Sequence, residues 1–290
     1  MTSDIRTITA GGVEFGYLAA GDTGPLALCL HGFPDTAYTF RHLLPELAAA
    51  GYRAVAPFMR GYAPTAVPED ATYQTGALGT DAVALHEAFG GDGDAVLIGH
   101  DWGATATYAA AALEPRRWRR AVTMAVPPPV SLMTGFLTYE LLKRSFYMFV
   151  FQTPLAEIAV TADDMAFIDG LWRDWSPGYD AREDVAYVKA ALREPANLGA
   201  ALGYYRAMFG ATPPNPAYER AQAAASQVPD VPLLYLHGRD DGCLGVGLTE
   251  DAGAHLGPGS RVEVVPDAGH FLHLERAKAV NRLILDWVAR

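Results

Sequence analysis

The chain has only two cysteines among its 290 residues, Cys29 and Cys243, and they stand far apart. That excludes a disulfide framework and any paired-cysteine metal spacing, and it makes a reducing cytoplasm the expected compartment. Basic residues are also scarce: 22 Lys and Arg face 33 Asp and Glu, for a net charge of −11. This argues against nucleic acid and anionic membrane surfaces as partners, since both need clustered positive charge. The one basic cluster, Arg116-Arg117-Trp118-Arg119-Arg120, is short and follows a proline, as a solvated turn would. No apolar run approaches the roughly 18 residues of a membrane span. Met1-Thr2-Ser3-Asp4 begins neither a basic nor an apolar leader region, so no secretory signal is expected. Low-complexity tracts and internal repeats are absent too. What remains is a half-hydrophobic, 19% charged chain, long enough for a full α/β domain with an insertion.

Ile5–Ile8 and Val13–Tyr17 flank Gly11-Gly12 with alternating character and predict a hairpin. Leu26–Leu30, Arg53–Pro57, Ala95–Ile98 and Arg120–Ala125 read as strands, the first of them buried on both faces. Helical stretches fall between them, over Ala37–Ala50, Thr75–Phe89 and the residues after Asp101. Strands alternating with helices imply a mainly parallel sheet. Pro127-Pro128-Pro129 breaks the alternation, and from about Ser131 to Met208 the pattern is helical and rich in aromatics and Met. Pro213-Pro214-Asn215-Pro216 closes that segment. Strands Leu233–Leu236 and Arg261–Val265 and a final helix from Phe271 to Ala289 resume the rhythm. The expected division is a core over 1–127 and 215–290, interrupted by a helical cap over 128–214.

The centre of the sequence is Gly99-His100-Asp101-Trp102-Gly103, between a strand and a helix of small residues. Strand, sharp turn and helix form the setting of a nucleophile elbow, in which flanking glycines allow the tight turn. The middle residue is Asp101 rather than Ser or Cys. A carboxylate with an ordinary pKa near ~3.9 needs no base to become a nucleophile, and the N-terminus of the next helix favours its charge. Its attack on carbon leaves an ester, which a second step must hydrolyse. His270, in Asp267-Ala268-Gly269-His270-Phe271, is the candidate base for that step, and Asp240 or Asp241 the acid that orients it. The order nucleophile, acid, histidine is that of α/β hydrolases. Backbone N–H groups of Phe33 and Trp102 are the candidate oxyanion donors. His86, His100 and His255 read as structural or solvated. A G-x-D-x-G run alone is weak evidence; its strength comes from an acid, a histidine and the His31-Gly32-Phe33-Pro34 loop each following a strand, where parallel sheets gather their sites.

On these residues the chain resembles the α/β-hydrolase superfamily and, within it, the epoxide hydrolases. His31-Gly32-Phe33-Pro34-Asp35 resembles the family's H-G-x-P loop, Arg60-Gly61-Tyr62 its R-G-Y/F loop, and the elbow its nucleophile signature. The family's spacing from the strand-ending glycine points to Asp241 as the acid. Tyr147-Met148-Phe149-Val150-Phe151-Gln152 and Tyr204-Tyr205-Arg206-Ala207-Met208 resemble the two cap segments whose tyrosines donate to the epoxide oxygen, which implies Tyr147 and Tyr205. His31, Pro34, Phe151 and Met208 are implied to contact substrate, and an apolar pocket is expected from Phe136, Phe146, Met148 and Phe149 as well.

The resemblance implies an epoxide hydrolase using water and an apolar epoxide, with neither metal nor cofactor. A haloalkane dehalogenase shares the core and the Asp-Trp pair, but there a halide donor commonly replaces Phe33. A fluoroacetate-type enzyme would want arginines beside the nucleophile, and Gly103-Ala104-Thr105 has none. A serine esterase is excluded by Asp101. A hydrolase-like binding protein would tend to lose a member of the site. A homodimer is compatible with the sequence.

Overall fold

The computed structural model describes residues 4–290. The leader reading at the N-terminus therefore concerns, apart from Asp4, residues outside those described.

Eight strands form one sheet in the order β1-β2-β4-β3-β5-β6-β7-β8. They are β1 (Arg6–Ala10), β2 (Val13–Ala20), β3 (Leu26–Leu30), β4 (Arg53–Pro57), β5 (Val96–His100), β6 (Arg120–Met124), β7 (Leu233–Gly238) and β8 (Arg261–Val265). β2 runs antiparallel to β1 and β4, and β3 to β8 are mutually parallel. Every residue of β3, β5 and β7 is buried, as continuous apolar runs in a sheet covered on both faces should be.

The helices are α1 (Leu43–Ala49), α2 (Thr75–Ala88), α3 (Trp102–Leu113), α4 (Pro129–Phe136), α5 (Tyr139–Arg144), α6 (Phe146–Val150), α7 (Ala156–Trp175), α8 (Arg182–Leu192), α9 (Pro195–Met208), α10 (Glu219–Ala224), α11 (Leu272–Glu275) and α12 (Ala277–Val288). Between β6 and β7 the described chain contains helices alone, α4 to α10, of which α10 packs back onto α2 and α3. Among the described residues no helix is long and apolar enough to cross a membrane.

Two expected helices are divided. The stretch from Ala37 splits into a 3-10 turn, Ala37–Phe40, and α1. Pro45 cannot donate to a carbonyl four residues back, so the helix restarts with the proline in its first turn, where no donor is needed. The last stretch breaks at Arg276, which leaves helical geometry while its Nε donates 2.7 Å back to the Asp267 carbonyl.

The core is built for close approach beneath the site. A Cβ on Gly99 would strike the Gly103 carbonyl, and one on Gly103 the Leu30 carbonyl. Strand β5, helix α3 and strand β3 can therefore touch only because both positions lack side chains.

Candidate active site

Asp101 occupies the turn between β5 and α3 with φ 52° and ψ −119°, a conformation costly for any residue but glycine. The turn is held by its own hydrogen bonds. Asp101 N–H donates to Met124 O at 3.1 Å, and Asp101 O accepts from the amides of Ala104 and Thr105 at 2.9 and 3.1 Å. The result lifts the carboxylate clear of the sheet and against Phe33, whose N–H donates to Asp101 Oδ1 at 2.8 Å. As the first residue of α3, Trp102 has an amide with no carbonyl within its own helix to bond. Gly32 has no room for a side chain because its Cβ would overlap the Asp101 carboxylate. Gly32→Ala should therefore displace the Asp101 carboxylate and cut turnover about 100-fold. Unchanged kinetics in this variant would refute the close fit.

His270 enters from the loop after β8. Its backbone N–H donates to Trp175 O at 3.0 Å, tying it to the end of α7. Its ring spans the two acids: Nδ1 lies 3.0 Å from Asp241 Oδ2, and Nε2 lies 3.6 Å from Asp101 Oδ2. Asp241 Oδ1 accepts from the amides of Cys243 and Leu244 at 2.7 and 3.0 Å, so the carboxylate is clamped from both ends. Asp240, the rival acid, is exposed and makes no bond to His270.

The electrostatics follow from this geometry. Burial opposes the charge on all three groups, yet mutual attraction prevails. Against its desolvation, Asp241 is held down to about 2 by His270 and the backbone amides. Asp101 is likewise depressed by His270, His100 and the Phe33 amide. His270 is raised because two carboxylates outweigh its burial. A depressed carboxylate stabilises the fold above its unfolded pKa and loses that contribution as the pH falls. Thermal stability should therefore decline as the pH drops from about 4 toward 2, and Asp241→Asn should flatten that decline. An identical acid profile in the variant would refute the assignment.

Tyr147 on α6 and Tyr205 on α9 are each 1% exposed, and their rings meet edge to face at 5.6 Å between centroids. Both line, with Asp101 and Trp102, a cavity of about 210 Å³. Among the described residues Tyr205 Oη has no hydrogen-bond partner, and Tyr147 Oη lies 3.7 Å from Cys243 Sγ. Burial pushes both phenols well above their ordinary pKa, so they remain proton donors.

The motifs around these tyrosines have a mechanical role. Gln152 Nε2 donates to Met148 O and Tyr205 O at 2.9 and 3.2 Å, and Arg206 Nε donates to Phe151 O at 3.1 Å. The two tyrosine segments thus pin each other. The Arg60-Gly61-Tyr62 loop pins α9 to the core: Tyr204 Oη donates to Arg60 O at 2.8 Å and Asn197 Nδ2 to Gly61 O at 2.7 Å. Arg60 is itself fixed by Asp81, with Nε to Oδ2 at 2.5 Å and Nη2 to Oδ1 at 2.6 Å. Gly61 has φ +80° and abuts Ala200, so only glycine suits the position.

The four expected substrate contacts separate. Met208 lines the cavity. Phe151 is fully buried between the rings of Phe33 and Tyr205, at 5.5 and 5.2 Å, and supports the cavity from behind. His31 does not reach it. Its Nδ1–H donates to Gly32 O and its Nε2 accepts from Met59 N–H, both at 2.9 Å, and burial lowers its pKa to about 4. It shapes the loop as a neutral ring. Pro34 accepts the Trp172 indole N–H at 2.8 Å and also lies outside the cavity. Phe136 and Met148 line the cavity, whereas Phe146 and Phe149 are exposed. Val126, Leu132, Met133 and Cys243 are lining residues that sequence reasoning missed. Only Cys243 carried a signal, two residues past the acid. His100 is buried, with Nε2 donating to His270 O at 3.0 Å.

Among the described residues, two sets of three buried side chains each bring their donor atoms within 4.8 Å of one another: Asp241, Cys243 and His270, and Asp35, His100 and His273. The first is the site just described, its acid already engaged with His270 and two amides. The second lies behind His270, where His273 Nε2 meets Thr39 Oγ1 at 2.5 Å.

A sequence profile of the alpha/beta hydrolase fold matches residues 25–277. The chain is 31% identical to the AB hydrolase superfamily protein YfhM of Bacillus subtilis (strain 168), covering 97% of this chain and 96% of that protein. It is 32% identical to Epoxide hydrolase 3 of Xenopus tropicalis, covering 96% of this chain and 75% of the relative. The crystal structure of epoxide hydrolase VrEH1 from Vigna radiata is similar with a TM-score of 0.79 at 27% identity, covering 99% of this chain and 98% of that one. With these likenesses added to an aspartate elbow, an acid–histidine pair and two cap tyrosines, the chain belongs to the α/β hydrolases and, among them, to the epoxide hydrolase family.

Proposed function

We propose that this protein hydrolyses an apolar epoxide to a vicinal diol in two steps. Asp101 Oδ attacks a ring carbon; the carbon–oxygen bond breaks, its electron pair goes to oxygen, and Tyr147 or Tyr205 supplies the proton. A hydroxyalkyl ester of Asp101 results. His270, oriented by Asp241, then takes a proton from water as the water oxygen bonds to the ester carbonyl carbon. The Phe33 and Trp102 amides hold the oxyanion; as it collapses the ester carbon–oxygen bond breaks, the departing diol oxygen takes the proton from His270, and the Asp101 carboxyl so formed gives its proton, through water, to the tyrosinate left by the first step. The ring's strain and the carboxylate supply the reactivity, with no metal or cofactor in the scheme.

The observation that carries this reading is the pair of buried tyrosine hydroxyls facing Asp101 across an apolar cavity. An alkoxide leaving group requires such donors, while a halide requires none. The side chain of Phe33, which bonds Asp101 through its amide, offers a halide no donor. The deciding assay sets epoxides beside haloalkanes and measures diol and halide; halide release without diol would favour the dehalogenase reading. Each of Tyr147→Phe and Tyr205→Phe should slow epoxide opening about 100-fold or more, with the double variant slower still. An undiminished rate in the double variant would remove the tyrosines from the scheme.

Covalent chemistry also prepares the base. Once Asp101 is esterified it no longer carries charge, so one of the two carboxylates raising His270 is gone. The imidazole becomes easier to deprotonate when the second step needs a base. The domain division supporting this scheme is a core over 1–127 and 215–290 with a tyrosine-bearing cap over 128–214, placed in the cytoplasm on cysteine usage.

A further inference from the structure

Asp241 faces two histidines. Its Oδ2 lies 3.0 Å from His270 Nδ1 and 3.5 Å from His237 Nε2, and all three side chains are fully buried. His237 is on β7, two residues after Tyr235 and so on the same face of the strand. Tyr235 Oη lies 2.6 Å from His237 Nδ1.

These distances assign the ring's proton. A phenol buried beside an imidazole nitrogen satisfies its hydrogen by donating to that nitrogen. With Nδ1 accepting, the neutral ring carries its proton on Nε2, the atom facing the carboxylate. The opposite tautomer would set an Nε2 lone pair against Asp241. The carbonyls of Ala125 and Gly245, which also face the ring, are acceptors as well. At 3.5 Å the pair falls short of a hydrogen bond, and among the described residues His237 Nε2 is a buried polar atom with no other partner, so Asp241 Oδ2 is the acceptor it faces.

We propose that His237, set by Tyr235, is a positioning residue that holds Asp241 on His270 and moderates the basicity of His270. The proposal rests on the two-step reaction above. A carboxylate that accepts fewer N–H donors carries more localised charge and attracts an imidazolium more strongly. Removing the His237 donor should therefore raise the pKa of His270 and leave Asp241 freer to turn. The slow step is then ester hydrolysis, which needs His270 neutral and aligned.

The titratable groups around His270 are the acids Asp101, Asp241 and Glu275 and the imidazoles His100, His237 and His273, with the Cys243 thiol beside Asp241. Of these, only His237 and His270 share an oxygen of Asp241. The effect sought is thus specific to that oxygen.

The test measures single-turnover decay of the Asp101 ester by mass spectrometry across pH in the full-length protein. His237→Leu is expected to slow decay at least 10-fold, accumulate ester at steady state, and move the rise of the rate to higher pH. His237→Gln, which places an amide N–H in reach of Asp241, should recover most of the rate and return the limb toward its original pH. Tyr235→Phe frees the tautomer and should give an intermediate effect; it also serves if His237→Leu fails to fold. A purely packing role would move melting temperature in these variants and leave the pH limb in place, and that result overturns the proposal. His270→Gln separates the two levels. If it forms ester while the His237 and Tyr235 variants decay normally, only this inference fails; if it forms no ester, the two-step scheme fails first.

Discussion

Asp101→Ala is expected to lose essentially all epoxide turnover, a drop of about 10⁵-fold or more, on the scale seen when a covalent nucleophile is removed. The size follows from the site's construction. Burial works against the charge on this carboxylate, yet His270, His100 and the Phe33 amide keep it ionised below its ordinary pKa. Its strained backbone, φ 52°, fixes the direction of attack. Nothing else on the cavity wall replaces it, because burial holds the Cys243 thiol protonated and both tyrosines are donors. The measurement is diol formation by the purified variant, with circular dichroism to establish folding. Retained activity would overturn the whole scheme.

His270→Gln should do something different: leave the first step working and stop the second. Gln offers no basic nitrogen, so no group at this position can accept the water proton. Ester should accumulate to about one per protein, read as a substrate-sized mass gain on the peptide containing Asp101. Steady-state turnover should fall about 10⁴-fold, the scale expected when a base acting on a covalent intermediate is lost. The proposed direction of water attack adds a check. In ¹⁸O-water a single turnover of the unaltered enzyme should label Asp101 rather than the diol, since water enters at the carbonyl carbon. Label in the diol instead would mean direct attack on the epoxide.

The pH dependence of the second step follows from the same groups. His270 must be neutral to act, so the hydrolysis rate should climb as the pH rises through its pKa in the ester form. That value lies below the one in the free protein, where two carboxylates raise it.

Much of this site is readable along the chain. Asp101 stands out because glycines bracket it between an apolar strand and a small-residue helix. His270 and Asp241 stand out because each follows a strand. The separation of Asp241 from Asp240 needed more than type and order: adjacent acids at a strand end differ only in which carboxylate the turn aims inward, and Asp241 N–H closes that turn on Gly238 O at 3.2 Å. His31 shows the limit of motif reading. It belongs to the loop that carries the Phe33 amide, but its ring faces the Met59 backbone instead of the cavity.

The cap divides in the same way. Its helical character and the Phe-Gln and Tyr-Arg neighbours single out Tyr147 and Tyr205. Which apolar residues line the cavity does not follow from their spacing. Phe149 and Met148 are adjacent on one short helix, yet only Met148 lines it. Short helices such as α6 carry too few turns for periodicity to set a facing, and their rotation is fixed by packing against α9 and the core.

The sequence by itself determined the aspartate elbow, the histidine after the last strand, the alternation that builds a parallel sheet and the helical interruption between β6 and β7, because each is a local pattern of residue type and period. The tertiary structure alone decided that the tyrosines share a cavity with Asp101, that His31 and Pro34 stand aside, and that His237 lies against Asp241. Those are relations between residues far apart in the chain, set by which backbones can approach closely and which buried polar atoms must find one another.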